Sequence, residues 1–535
     1  MLNYYRSSRL VARQSQALRG FATSSIVKNG SQEHVFTPLA TQSVISPMRR
    51  NTTWLTALRA REKQKVEWIA KHKDELLSGK LRAQDLPLES YSYTKVGTLE
   101  VAERSPKDSF SYVILPFKSD EWFLDAYINA YGRLRIGQIF QDLDALAGVI
   151  AYKHCNPAQP VIVTASVDRI YMKKRLDSIA NLNITLSGNV TWTGRSSMEI
   201  TIKAATNNRD LTVDSKLTKE DIKEEDIFLT ANFTFVARNP ETKKSFAINK
   251  LVPTTDQEHA DFVRAEKYNK HKREEASKSA LIHTPPSEEE SDLVHKMWLQ
   301  QRLDPDKASS FADATSASEI LPVESPADQI SVQLMQETRI SSTSMMQPQY
   351  RNRHSYMIFG GYLLRQTFEL AYACASAFSH DIPRFVSLDS TTFRNPVPVG
   401  SVLYLTATVV YTEFINRKLN PEAGDKPDER KYDFNQNSIP GTLIQVRVDS
   451  TVRDLKHGTT TNTGQFTYSY FVAANAEKSV IPGNAEDDKP KFYSVMPQTY
   501  SEMMEYLEGR RKSLDTASFN TYVRLMPNPN EVVSE

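Results

Sequence analysis

Two acids and two asparagines stand out along this chain by residue type and spacing. Asp144 lies in the run LDALAG, among apolar neighbours at helical spacing, where an acid is costly to bury unless it is paired. Asn129 precedes it by 15 residues. Further along, Asn352 precedes Glu369 by 17 and His354 precedes it by 15, with the pair Gly360-Gly361 in between. One residue is about 100° around a helix, so Glu369 need not point where Asp144 does. A carboxylate can take a proton from water or attack a carbonyl carbon directly. Backbone N–H groups at a helix start can hold a developing oxyanion. Each residue also has a plainer reading. The acids can sit on an exposed face or in a structural pair, the asparagines can cap a helix or satisfy a loop, and His354 can be a hydrogen-bonded loop histidine. Arg195-Ser196-Ser197 reads as a hairpin turn, although a guanidinium also pairs well with phosphate.

The elements around these residues repeat. In RIGQIFQDLDALAGVIAYKH (135–154), Ile136, Ile139, Phe140, Leu143, Leu146, Ala147 and Ile150 fall at helical spacing. GGYLLRQTFELAYACASAF (360–378) predicts a second helix. Strand-like runs at 111–117, 161–172, 182–193, 196–205 and 227–238 surround the first helix, and others at 384–393, 401–413, 442–454 and 463–473 follow the second. VTASVD matches FVSLDS and NFTFV matches QFTYSY in the same order, which implies a duplicated unit. The fold class is α+β: in each copy a long helix is wrapped by an antiparallel sheet. Residues 241–335 read as a charged linker with a helical middle, and 416–441 as a mobile insertion.

Composition narrows the function. The 66 basic and 64 acidic residues leave a net charge of +2, which argues against a nucleic-acid partner held by a general basic field. No G-x-x-x-x-G-K-[ST] and no G-x-G-x-x-G phosphate loop occurs. Cys155 and Cys374 are the only cysteines; they read as buried small apolar residues and, with no C-x-x-C, form no zinc site. No apolar run approaches the roughly 20 residues that span a bilayer. The N-terminus carries Arg6, Arg9, Arg13 and Arg19, several serines and no acid before Glu33, the composition of a mitochondrial transit peptide.

DEWFLDAYINAYGRLRIGQIFQDLDALAG (120–148), VIVTASVDRI (161–170), GRSSMEI (194–200), MQPQYRNRHSYMIFGGYLLRQTFELA (346–371) and FRNPVPVGSVLYLTATVVYTE (393–413) together resemble the mitochondrial acyl-coenzyme A thioesterase 9 family, whose members carry tandem hotdog domains. The resemblance covers most of residues 90–475, and with composition and the repeat the chain reads as transit peptide 1–25, N-terminal helical extension 26–86, hotdog domain 87–240, linker 241–335, hotdog domain 336–475 and C-terminal extension 476–535. The resemblance implies hydrolysis of acyl-CoA to free fatty acid and CoA in the mitochondrial matrix, with no metal and no cofactor. The repeat predicts two helices side by side with their sheets joined edge to edge, and the resemblance further suggests three chains around a threefold axis. One domain is expected to supply an Asn and the start of its helix, and the facing domain an acid. Two composite sites follow: Asn352 and Gly361 facing Asp144, which is favoured, and Asn129 and Gly137 facing Glu369. Ile136 replaces the first glycine of the second pair. Gly360 and His354 are expected at the substrate, and Arg195, Ser196 and Ser197 at the CoA phosphates. Two alternatives stand beside hydrolysis: dehydration of a 3-hydroxyacyl-CoA by His354 with Glu369, and a non-catalytic acyl-CoA-binding or structural protein.

Overall fold

A computed structural model of the chain describes residues 54–81, 96–176, 178–213, 215–242, 244–278, 285–303, 329–352, 357–389, 391–415, 440–455, 458–474 and 491–525. The stretch read as a transit peptide, His354 and insertion residues 416–439 lie outside them.

In the first half, β1 (Ser111–Leu115) leads to α1 (Ile136–Cys155), then β2 (Val161–Met172), β3 (Asn183–Thr193), β4 (Ser197–Asn207), β5 (Ile227–Arg238) and α2 (Asp256–Lys278). The second half repeats the succession: β6 (Ile340–Met345), α3 (Gly360–Ser379), β7 (Arg384–Leu388), β8 (Val402–Ile415), β9 (Gly441–Arg453), β10 (Thr460–Ala473) and α4 (Tyr500–Leu525). Strand order is the same in both, β1-β3-β4-β5-β2 and β6-β8-β9-β10-β7, and all these pairings are antiparallel. Each half is a hotdog domain, with α1 or α3 lying against its own sheet. The sheets join edge to edge where β7 pairs with β2, Leu388 opposite Ile170. A short strand, Thr391–Thr392, then runs on along β2 opposite Val167 and Ser166.

The irregularities repeat as well. β2 is bulged between Thr164 and Ser166, and β7 between Phe385 and Ser387. β3 is bulged between Val190 and Trp192, and β8 between Val409 and Tyr411. These bulges set the true correspondence between halves, because each inserts one residue that letter matching cannot see. Thr164 corresponds to Phe385, one position away from the match of VTASVD with FVSLDS. Val190 pairs with Ile200 and Ile200 with Phe233; Val409 pairs with Val446 and Val446 with Tyr468. Phe233 therefore corresponds to Tyr468, not to Phe466 as NFTFV against QFTYSY suggests.

The repeat also runs on into stretches whose charge hides it. Both α2 and α4 open on the same cap. The N–H groups of Thr254 and Thr255 donate to Glu258 Oε2, and those of Gln498 and Thr499 donate to Glu502 Oε2. This is a capping box, which satisfies first-turn donors that have no partner within the helix. α2 then reaches β2 through Tyr268 Oη, which donates to Asp168 O at 3.3 Å. α4 reaches the end of β7 through Thr516 Oγ1, which donates to Asp389 Oδ1 at 2.7 Å. No helix among the described residues is long and apolar enough to cross a membrane.

The central helices lie side by side and cross at glycine. A methyl on Gly361 would lie 2.9 Å from Gln141 O, and one on Gly137 would lie 3.0 Å from Phe368 Cδ1. α1 buries 16 of its 20 residues and α3 only 11. An acid on α1 is thus desolvated, whereas one on α3 can reach water.

Candidate active site

Asp144 is 1% exposed, on the side of α1 that meets the start of α3. Its Oδ1 accepts a hydrogen bond from Thr164 Oγ1 at 3.0 Å. Thr164 stands next to the β2 bulge, which turns its hydroxyl toward the helix. Asp144 Oδ2 has no hydrogen-bond partner among the described residues. It borders Gly360: a methyl there would sit 3.1 Å from Oδ2 and 3.4 Å from Thr164 Oγ1. Gly360 and Gly361 occupy the first turn of α3, where backbone N–H groups find no carbonyl within the helix. Asp144, Thr164 and the two glycines thus surround one small space lined by a carboxylate, a hydroxyl and the backbone N–H groups of the helix start.

Burial pushes the Asp144 carboxyl from 3.8 up to about 6, while the Thr164 hydroxyl and the Gly361 N–H hold it back from rising further. A base of that strength is largely ionised at neutral pH yet still takes a proton readily. Stability follows with a definite sign. Between pH 3.8 and about 6 the folded chain binds this proton more tightly than the unfolded chain does, so this carboxyl makes stability fall as pH rises through that window. Ionised, it costs on the order of 3 kcal/mol. Asp144→Asn should therefore be more stable than the wild type at pH 7.5, with the advantage fading toward pH 4. Denaturant midpoints measured at both pH values check this; an equal difference at the two would contradict it.

Glu369 does not occupy the matching place in α3. Asp144 lies seven residues after Gly137 (137 + 7 = 144), and seven after Gly361 is Phe368 (361 + 7 = 368). The loop before α3 is also one residue longer: Asn129 N–H donates to Arg133 O, whereas Asn352 N–H donates to Met357 O, and 133 − 129 = 4 while 357 − 352 = 5. These two single-residue differences make up the interval of 17 against 15. Glu369 is turned to the half-exposed face, where Arg135 Nε donates to its Oε1 at 2.8 Å with both side chains 36% exposed. Its Oε1 also borders the start of α1, 3.2 Å from where a methyl on Gly137 would sit, while the position that matches Asp144 is filled by carbon. Phe368, Phe385 and Phe140 pack edge to face at 5.1 to 5.6 Å, standing where the other half has Asp144, Thr164 and Leu364. Ile136 stands where that half has Gly360.

The remaining expected residues divide. Asn129 Oδ1 accepts from the N–H groups of Tyr131 and Arg133, both at 3.0 Å, so its carbonyl serves its own loop. Asn352 opens the corresponding loop at the start of α3, and His354 falls outside the described residues. Arg195, Ser196 and Ser197 form the hairpin between β3 and β4, with Gly194 N–H donating to Ser197 O and the Arg195 side chain exposed. Ser197 lies opposite Val236, and Val236 opposite Val163, next to Thr164. Two strand spacings of about 4.8 Å separate the hairpin from the site. The sequence does not single out Thr164, because a threonine inside a strand carries no signal of its own. Asp142, two residues before Asp144, is equally buried, but its carboxylate accepts from Tyr127 Oη at 2.5 Å. No group of three or more His, Cys, Asp or Glu side chains among the described residues is placed to hold a metal.

No protein-family model matches the chain. Individual relatives do. Mouse mitochondrial acyl-coenzyme A thioesterase 10 is 32% identical over 77% of this chain and 79% of its own. Mouse mitochondrial acyl-coenzyme A thioesterase 9 is 30% identical over 92% of both. The chain belongs to the acyl-coenzyme A thioesterase 9 family. The human thioesterase 9 is 32% identical over 76% of this chain and 77% of its own. Among solved structures, an apo-hexameric acyl-CoA thioesterase matches over 33% of this chain and 98% of its own, at 23% identity and a TM-score of 0.25. Family membership makes the chain a thioester hydrolase, and its two halves are the family's tandem hotdogs.

Proposed function

We propose that the chain hydrolyses acyl-CoA to free fatty acid and CoA at one composite site, built from Asp144 and Thr164 of the first half and Gly360 and Gly361 of the second. The observation that carries this is the buried Asp144 carboxylate with one oxygen unpartnered, facing the open start of α3. Asp144 takes the proton of a water as that water attacks the thioester carbonyl. Thr164 holds the carboxylate in line. The Gly361 N–H, fixed at the helix start and facing the carboxylate in the free enzyme, donates to the oxyanion as charge leaves the carboxylate. The released thiolate of CoA takes up the proton held by Asp144 and departs, which returns the carboxylate to its starting state. Asn352 orients the water or the carbonyl from the loop before α3. Release of free thiol from acyl-CoAs of butyryl to palmitoyl length tests the reading; no release above background from any of them would refute it. The dehydration alternative needs Glu369 free to work with His354, and Arg135 already holds Glu369.

The nucleotide end of CoA lies at the β3–β4 hairpin, where Arg195 is exposed and Ser196 and Ser197 line the turn. Arg195→Ala should raise KM for acyl-CoA about tenfold and change kcat little, as expected when ground-state binding is lost. Unchanged kinetics would remove Arg195 from the site. The relatives named mitochondrial and the arginine-rich start support a place in the mitochondrial matrix; N-terminal sequencing that returns Met1 from purified mitochondria would exclude cleavage of a transit peptide. Three chains around a threefold axis are proposed from the family resemblance, and a monomer in light scattering would exclude them.

A further inference from the structure

We propose that Phe393 selects the acyl group, by walling the space that receives the first carbons beyond the thioester carbonyl and excluding a branch there. The inference rests on Asp144 being the base and goes on to the substrate class of that site.

Phe393 belongs to the second half but is held by the first. Thr391 and Thr392 pair with Val167 and Ser166, and the Phe393 N–H then donates to Ala165 O at 3.0 Å. Ala165 is the residue that the β2 bulge leaves out of the β5 ladder. One bulge therefore turns Thr164 toward Asp144 and also anchors Phe393. The ring tip reaches the reacting centre: a methyl on Gly360 would lie 3.7 Å from Phe393 Cζ and 3.1 Å from Asp144 Oδ2. Cζ and the free carboxylate oxygen thus border the same methyl-sized space.

The direction of the ring says which part of the substrate it meets. Phe393 packs edge to face on Phe466, at 5.7 Å and 71°, and Phe466 is fully buried in the core of the second half. Thr164, Ala165, Gly360 and Phe393 are all partly exposed and Phe466 behind the ring is buried, so entry runs from this rim toward Phe466. The charged nucleotide arm stays with solvent, and the apolar acyl chain continues inward past Phe393. A straight chain can slide along a ring edge. A methyl on the carbon next to the carbonyl points into Cζ, and neither Asp144 nor the helix start can give way.

The test takes the straight-chain acyl-CoA that the wild type hydrolyses fastest, and its 2-methyl counterpart. The two differ by one branch, and a pocket distinguishes one such group by roughly 10- to 200-fold. Wild type should favour the straight chain in kcat/KM by at least about tenfold. In Phe393→Ala the ratio should fall to within about threefold through a gain on the branched substrate, and inhibition by free CoA should not change. A ratio equal to that of wild type would overturn the proposal. So would weakened inhibition by free CoA, which would put the ring against the pantetheine arm. Should Phe393→Ala not fold, Phe393→Leu decides: an intermediate ratio supports the proposal and the wild-type ratio overturns it. Failure of the catalytic reading shows separately, as an active Asp144→Asn variant.

Discussion

Asp144→Asn should lose at least about a hundredfold in kcat, because a positioned general base contributes roughly 10²–10⁴. The variant keeps the size of the side chain and its acceptor for Thr164, so the fold and CoA binding should survive; near-native circular dichroism and an unchanged inhibition constant for CoA would show that they do. Glu369→Gln is the matching control on the other helix. It removes a half-exposed partner of Arg135, and exposed ion pairs contribute little, so kcat should stay within about threefold of wild type. Full activity in Asp144→Asn together with a dead Glu369→Gln would place catalysis on the other acid. The wild-type pH profile carries the same assignment: kcat/KM should rise through about pH 6 as Asp144 ionises and then level off.

Gly361→Ala should damage the crossing of the two central helices. Its methyl would stand 2.6 Å from Phe359 Cε1 and 2.9 Å from the Gln141 carbonyl oxygen. The phenyl ring can rotate aside, but the carbonyl belongs to α1 and cannot. The two helices must separate at the point where one presents the base and the other the oxyanion donor. Overpacking of this kind costs about 1–3 kcal/mol, and a displacement of about 1 Å at a reacting centre can cost a hundredfold in rate. Gly361→Ala should therefore lose both stability and kcat, read by denaturant unfolding and by thiol release. Wild-type kcat in this variant would mean that the close crossing of the helices is not needed for turnover. The Gly-Gly pair thus does two jobs that the sequence does not separate: Gly361 lets the helices cross, and Gly360 leaves room beside Asp144.

Much of the architecture was legible because it is written in apolar periodicity. The helix at 135–154, its partner at 360–378 and most strands follow from spacing alone, and duplication follows from their order. Asp144 was legible for a related reason, since an acid inside an apolar helical face needs an explanation. What stayed hidden depends on register. The single extra residue in the loop before α3, and the step from Phe368 to Glu369, decide which residue faces the site, and neither shows until the two loops are compared as hydrogen-bonded turns. The bulges that align Thr164 with Phe385 leave no mark in residue type. The caps of α2 and α4 are readable, because T-x-x-E stands at Thr255–Glu258 and Thr499–Glu502; the surrounding charge makes both stretches resemble a linker and a tail.

One consequence of the two halves being alike in fold and unlike in site is countable. Phe368, Phe385 and Phe140 fill in one half the space that Asp144 and Thr164 border in the other, so the proposed assignment has a single acyl group held per chain. Calorimetric titration with a non-hydrolysable acyl-CoA thioether measures this directly. Binding should saturate at one ligand per chain, and Asp144→Leu, which crowds the open site, should abolish it. Two ligands bound per chain, or one that persists in Asp144→Leu, would contradict a single working site at Asp144.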